Sequence, residues 1–333
     1  MSDIGHVLQH VNIKPEIRVK LIEHTQYNLD VDEINKTVDL LLIDQSSTYG
    51  RSTDERVIRR HFSKLNLTVP WAIITSNSDY FKKSEPNIIY YPFFLIDGID
   101  KNKDISVDIK SSRRSIASFL TFHLHVHRLL TFLQLFKQPW FNRCLVNLYQ
   151  VEKMTTSQLH TYDISMSMLT LEEIEETNEL IKLAPITADT TDKQEEIVNI
   201  KNTAFVDSYI NIQTESDYPT NFLTEKSIKP FLSGQFSAVL AHPKVYQHLE
   251  ELGFDLLNDY IDLNTKIPDI KEHIGYVLNQ VTELETVIEQ AWESSYTRRL
   301  HNYNLIRDPA LFNMLTSELQ HWLNTQGATH NDI

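Results

Sequence analysis

The chain has 333 residues, of which 41% are hydrophobic and 23% charged, with a formal net charge of −14. That apolar content is enough for a sizeable core and excludes wholesale disorder, and the acidic balance gives no general attraction to DNA, RNA or anionic lipid. The single cysteine, Cys144, excludes an internal disulfide, and seven glycines argue against several Gly-rich phosphate loops.

The first residues, MSDIGHVLQHVNIKPEIR, lack the apolar core of a signal peptide. The most apolar stretch, Ile116 to Phe136, holds His123, His125, His127 and Arg128, so no membrane span is expected. The chain therefore reads as cytoplasmic. The segment up to about Lys36 is expected to be helical, with Asp30 of Asp30-Val-Asp32 as a helix cap. Val38 to Asp44 is a continuous apolar run that predicts a buried parallel strand. A helix over 51–65, a strand at Trp71–Thr75 and a strand at Asn87–Tyr91 follow. The polar stretch 97–112 reads as a linker.

A second unit starts at Arg113, with a strand at Ile116–Phe122, a helix at His127–Lys137 and a strand at Cys144–Tyr149. Residues 170–183 predict a helix, and 185–200 a polar excursion. Ala204–Thr214 and Ala238–Ala241 read as strands around a helix at Thr224–Leu232, where Pro230 removes an interior hydrogen bond, so the helix is expected to kink there or to start later than Thr224. A helix at Lys244–Leu252 closes at Gly253. One long amphipathic helix over Asp269–Leu300 and a last helix after Asp308-Pro309 complete the chain. This alternation predicts an α/β protein with two Rossmann-like domains, residues 1–110 and 111–268, and C-terminal helices from 269 to 333 that pack back across them.

His123, His125 and His127 alternate and would share one face of a strand, but no further ligands stand at metal-site spacing, so no metal is expected. Arg113, Arg114, His127 and Arg128, joined by Lys226 and Lys229, are candidates for a local basic cleft.

The segment Asn221-Phe-Leu-Thr-Glu-Lys-Ser-Ile-Lys-Pro-Phe-Leu-Ser-Gly234 lies between the strand AFVDSYINIQTE and the strand AVLAHP. Together with Ser118-Phe-Leu-Thr-Phe-His-Leu-His-Val-His-Arg128 and the downstream HLEELGFDLLNDYID, it resembles the fucosyltransferase-type glycosyltransferases and their phage-encoded relatives, over roughly residues 113–265. The resemblance implies a GT-B-like fold and transfer of a sugar from a nucleotide-sugar donor, with inversion and without a metal or other cofactor. It implies that Arg128 and Lys226 hold the donor phosphates and Glu225 the ribose, with Thr224 and His127 beside them. The loop before Arg128 departs from the family, reading His123-Leu-His-Val-His127 where Ser-Asn or Asn-Arg is common. For the base that deprotonates the acceptor, Asp44, Asp79 and Asp97 are candidates, at or just beyond the carboxyl ends of the first unit's strands. The acceptor is open: a glycan or, as in some phage enzymes working in the host cytoplasm, a modified DNA base. A non-catalytic nucleotide-binding module of the same fold is the other alternative.

Overall fold

The computed structural model describes residues 8–23, 29–45, 55–83, 85–121, 126–148, 169–182, 203–215, 223–263, 267 and 269–329. They form an α/β protein with two four-stranded sheets, both wholly parallel.

The first sheet comprises β1 (Val19–Glu23), β2 (Leu40–Asp44), β3 (Trp71–Thr75) and β4 (Ile88–Tyr90), in the order β1-β2-β3-β4. Its central strands are apolar up to their carboxyl ends: Leu40 to Ile43 and Ala72 to Ile74 are all buried, as a parallel sheet covered on both faces requires. Helix α1 (Val31–Thr37) connects β1 to β2, with Asp30 accepting from the Glu33 amide, and α2 (Glu55–Phe62) connects β2 to β3. Helix α3 (Phe93–Asn102) follows β4.

The second sheet comprises β5 (Ser115–Thr121), β6 (Cys144–Leu148), β7 (Ser208–Thr214) and β8 (Phe236–Leu240), in the order β6-β5-β7-β8. The chain steps to one side of β5 and then returns past it to the other, so the strand order reverses between β5 and β7. Helices α4 (Val126–Phe136), α5 (Leu171–Lys182), the short α6 (Thr203–Val206), α7 (Glu225–Ser233) and α8 (Pro243–Glu251) connect or follow these strands.

Four helices end the described chain: α9 (Ile270–Glu285), α10 (Ile288–Ser294), α11 (Tyr296–Arg307) and α12 (Pro309–Thr329). Helix α9 packs on α4, α11 on α7, and α12 on α3 and β4, so they touch both sheets' units. The segment between α3 and β5 is fastened to these helices by arginines. Arg299, fully buried, donates to the carbonyls of Ile109 (2.7 Å), Gly234 (2.9 Å) and Trp292 (2.7 Å) and lies 3.3 Å above the Trp292 ring. Arg307 donates to the Ile105 carbonyl at 2.6 Å, and the Trp292 indole donates to the Ser111 carbonyl at 3.0 Å.

Several sequence expectations are corrected here. Residues 19–23 are a strand, not part of a helix; β1 is short and mostly half-buried, and VKLIE mixes charged with apolar residues, so its apolar signal is weak. Residues 97–102 belong to α3 and not to a linker, because Leu95, Ile96 and Ile99 bury one face of a helix there. Residues 203–206 form a helical turn ahead of β7. The expected single helix over 269–300 is interrupted at Thr286–Val287 and again at Ser295. Helix α7 runs from its Thr224 cap straight through Pro230 to Gly234, which takes the left-handed conformation (φ 68°) that ends helices. The 185–200 excursion, His123 and His125 lie outside the described residues.

Candidate functional site

Open parallel α/β sheets bind ligands beyond the carboxyl ends of the strands where the strand order reverses. Here that edge is formed by the ends of β5 and β7 and the first turns of α4 and α7. The two helix starts are tied together through Glu215, the residue after β7. Its carbonyl accepts from His127 Nε2 at 3.0 Å. Its side chain, wholly buried, accepts from the Thr224 hydroxyl (2.6 Å), the Thr224 amide (3.3 Å) and the Ser227 hydroxyl. A carboxylate at this position satisfies donors at a helix N-terminus and complements the dipole of α7. Thr224 Oγ1 in turn accepts from the Lys226 amide at 3.2 Å.

Glu225 and Lys226 open α7 side by side. Lys226 Nζ stands 3.0 Å from Glu225 Oε1, and Lys229 Nζ, one turn on, stands 3.7 Å from the same oxygen. Burial opposes ionisation of Glu225, but the two ammonium groups outweigh it and hold the carboxyl down at about 2. Lys229 shows the reverse balance: burial outweighs the pull of Glu225 and brings it down to about 8. The side chains of Glu225 and Lys226 retain 18% and 21% exposure and are reachable, whereas Lys229 keeps 4%.

On the other side of this cluster lies the first sheet's unit. A methyl group on Gly98 of α3 would stand 2.6 Å from Glu225 Cβ, so glycine is what lets the two helices meet at that point. Asp97, the preceding residue, accepts from Lys101 at 2.6 Å. Asp44 ends β2 and is 3% exposed. Burial, followed by the negative charges of Asp44 and Asp97, pushes the Tyr91 phenol well above its ordinary range, so both carboxylates lie within electrostatic reach of one ring. Asp79, in the turn after β3, pairs with Lys244 of α8 at 2.7 Å, which joins the carboxyl edges of the two sheets. Deeper in that seam the Tyr90 hydroxyl bonds His248 Nε2 at 2.7 Å.

The sequence-predicted site residues thus divide. Thr224, Glu225 and Lys226 form one cluster, joined to His127 through Glu215. Arg128 sits beside His127 in the first turn of α4 with 5% exposure. The expected basic cleft is not a single group. Arg113 donates to the carbonyls of Ser233 and Asp108 and Arg114 pairs with Asp207, at the amino end of β5, the opposite edge of the sheet from His127. Glu215 has no role in the sequence reading, and Lys229 only that of a possible member of the basic cleft. A buried acid at a strand end nine residues before a helix cap is a signal only once the fold brings the two together.

Among the described residues, no three His, Cys, Asp or Glu side chains come together as a cation site, and no helix is long and apolar enough to cross a membrane. No protein-family model matches the sequence, and no curated protein matches it.

Proposed function

We propose that this chain is a glycosyltransferase of GT-B type that moves a sugar from a nucleotide-sugar donor to an acceptor hydroxyl, with inversion and without a metal. The observation that carries the proposal is the place of Glu225 and Lys226. They stand at the helix start beside the strand-order reversal, partly exposed, and against the helix that carries Asp97.

The chemistry follows from those groups. Glu225, held ionised, accepts hydrogen bonds from vicinal ribose hydroxyls. Lys226 supplies a point charge for the diphosphate, with Arg128 and His127 on the neighbouring helix start, and the N-terminus of α7 adds its dipole. As the acceptor oxygen attacks the anomeric carbon, the bond to the diphosphate breaks and negative charge grows on the leaving group. Fixed cations stabilise that charge in the role a divalent ion takes in other transferases. The acceptor proton passes to a carboxylate of the first unit, one of Asp44, Asp79 and Asp97. A modified DNA base as acceptor would call for a basic lining on this edge. The exposed cations of α2 are spread along it, Arg56 in the first turn beside Glu55, which bonds Thr75 at the carboxyl end of β3, and Arg60 and Lys64 toward the far end.

The test is thermal stabilisation by GDP, UDP, CDP and ADP. A nucleotide at a hundredfold excess over its dissociation constant stabilises by about 2.7 kcal/mol. One nucleotide is expected to raise the Tm of the wild type and to raise that of Lys226→Ala by about half as much or less. No shift with any of the four would remove the donor site, and binding without sugar turnover would favour a nucleotide-binding module.

A further inference from the structure

Two ammonium groups share one oxygen of Glu225, and they are not equivalent. Lys226 Nζ, 3.0 Å away, belongs to a side chain with 21% exposure on a flexible stem that turns readily toward solvent. Lys229 Nζ, 3.7 Å away, belongs to a side chain with 4% exposure. Its ammonium lies 5.7 Å from the Phe205 ring centroid and within the field of Glu215, whose carboxylate is already committed to Thr224 and Ser227. Burial gives the Lys229 ammonium no route to solvent and keeps it beside Glu225, whereas Lys226 can turn outward and leave Glu225 with one cation still beside it. Gly98 closes the remaining side, its backbone pressed on the Glu225 stem.

We infer that Lys229 is a positioning residue for the proposed donor site: it keeps Glu225 ionised and in place for the ribose while Lys226 leaves Glu225 to take the diphosphate. This rests on the donor-site reading of Glu225 and Lys226. Ligand binding then exchanges partners without leaving a charge alone. The ligand-free pair Lys226–Glu225 becomes Lys226–phosphate, and Glu225 remains with Lys229. The charged groups facing Lys229 are Glu225, Lys226 and Glu215, and since its ammonium titrates at about 8, its hold on Glu225 weakens as pH rises through that value.

The experiment is calorimetric titration of the full chain with GDP, UDP, CDP and ADP near neutral pH and again at about pH 9, where Lys229 has lost most of its charge. The proteins are wild type, Lys226→Met, Lys229→Met, Lys229→Arg, Glu225→Gln and the Glu225→Gln/Lys229→Met double variant. Losing a charged hydrogen bond weakens binding about 10- to 100-fold, and that range is expected for Lys226→Met. Lys229→Met is expected at the lower end of it, about tenfold. The double variant should bind no worse than Glu225→Gln alone, because Lys229 acts through that carboxylate. Lys229→Arg stays charged and should keep at about pH 9 the affinity that the wild type loses.

If Lys229→Met fails to fold, the contrast between Lys229→Arg and wild type across pH decides the matter. Additive losses in the double variant would assign Lys229 to the fold and overturn the inference. Wild-type affinity in both Lys229 variants at both pH values would overturn it and leave the donor site standing. No nucleotide binding by the wild type would instead bring down the donor-site reading, and this inference with it.

Discussion

The two sheets share a strand count and a parallel arrangement, yet their interiors differ in kind. In the first, the middles of the central strands, Leu40 to Ile43 and Ala72 to Ile74, contribute only aliphatic side chains, and the polar Asp44 and Thr75 stand at the strand ends. In the second, one face carries Ser118, Asn211 and Ser237 in register across three strands, all buried. Gln235 joins this row to the end of α7. It donates to the Ser208 hydroxyl at 2.6 Å, and its carbonyl oxygen accepts from Ser233 (2.7 Å) and Asn211 (3.0 Å). Apolar packing specifies burial without direction, whereas a buried hydrogen-bonded network specifies one arrangement and penalises the others. The first sheet is thus built as a core, and the second as a mount that holds α7, and with it Glu225 and Lys226, in a single position.

Perturbing each interior separately should separate stability from ligand affinity. The largest effect is expected from Leu42→Ala in the first sheet, which costs about 4 kcal/mol of folding stability through lost transfer energy and a cavity. It should leave nucleotide affinity in the folded fraction unchanged, as denaturant melts followed by titration below the transition would show.

The seam between the sheets comes next. Burial, and then the nearby Lys82, push His248 down to about 4. A histidine whose folded pKa lies below its unfolded value contributes its full stability above the unfolded value of about 6.5, and loses it as pH falls toward the folded one. Stability should therefore drop by about 3 kcal/mol between those limits, at 1.36 kcal/mol per unit. His248→Gln should flatten that part of a pH series of urea melts.

Gln235→Leu follows, at about 2 kcal/mol for the partners it leaves unsatisfied. Here the distinguishing outcome is functional. Nucleotide affinity should fall although Gln235 is buried at the far end of α7 from Glu225. Unchanged affinity would mean that the polar row is only another core.

The smallest effect belongs to Asp79→Ala. The Asp79–Lys244 pair is exposed at both ends, and such pairs contribute about 0.5 kcal/mol or less. A loss of sugar turnover without loss of nucleotide binding in this variant would single out Asp79 as the base, and retained turnover would leave Asp44 and Asp97.

The same contrast explains what was legible in the sequence. Trp71–Thr75 is read to the residue because a bounded apolar run can do little else than form a buried strand. The α7 segment stands out through Thr224-Glu225-Lys226, since the cap and the charges are local. Helix α3 is hidden because its Asp97-Gly98-Ile99-Asp100 looks like a turn. The reason for glycine there is a contact with Glu225, more than a hundred positions away in the chain. Lys229 is legible as a candidate for the basic cleft but not as a buried partner of Glu225, because only the packing of α6 and α7 puts it there. Breaks such as Thr286–Val287 escape because the apolar stripe continues across them.

Arg299 gives the end of the chain a further significance. By grasping the carbonyls of Ile109 and Gly234 together, it splints the crossing strap between the two halves to the platform that carries Glu225. The seat of that strap is therefore set by a residue translated long after both halves. A chain stopped near residue 260 would keep the direct meeting of the halves at Gly98 and Glu225 and at Asp79 and Lys244, but the strap between them would lack its splint.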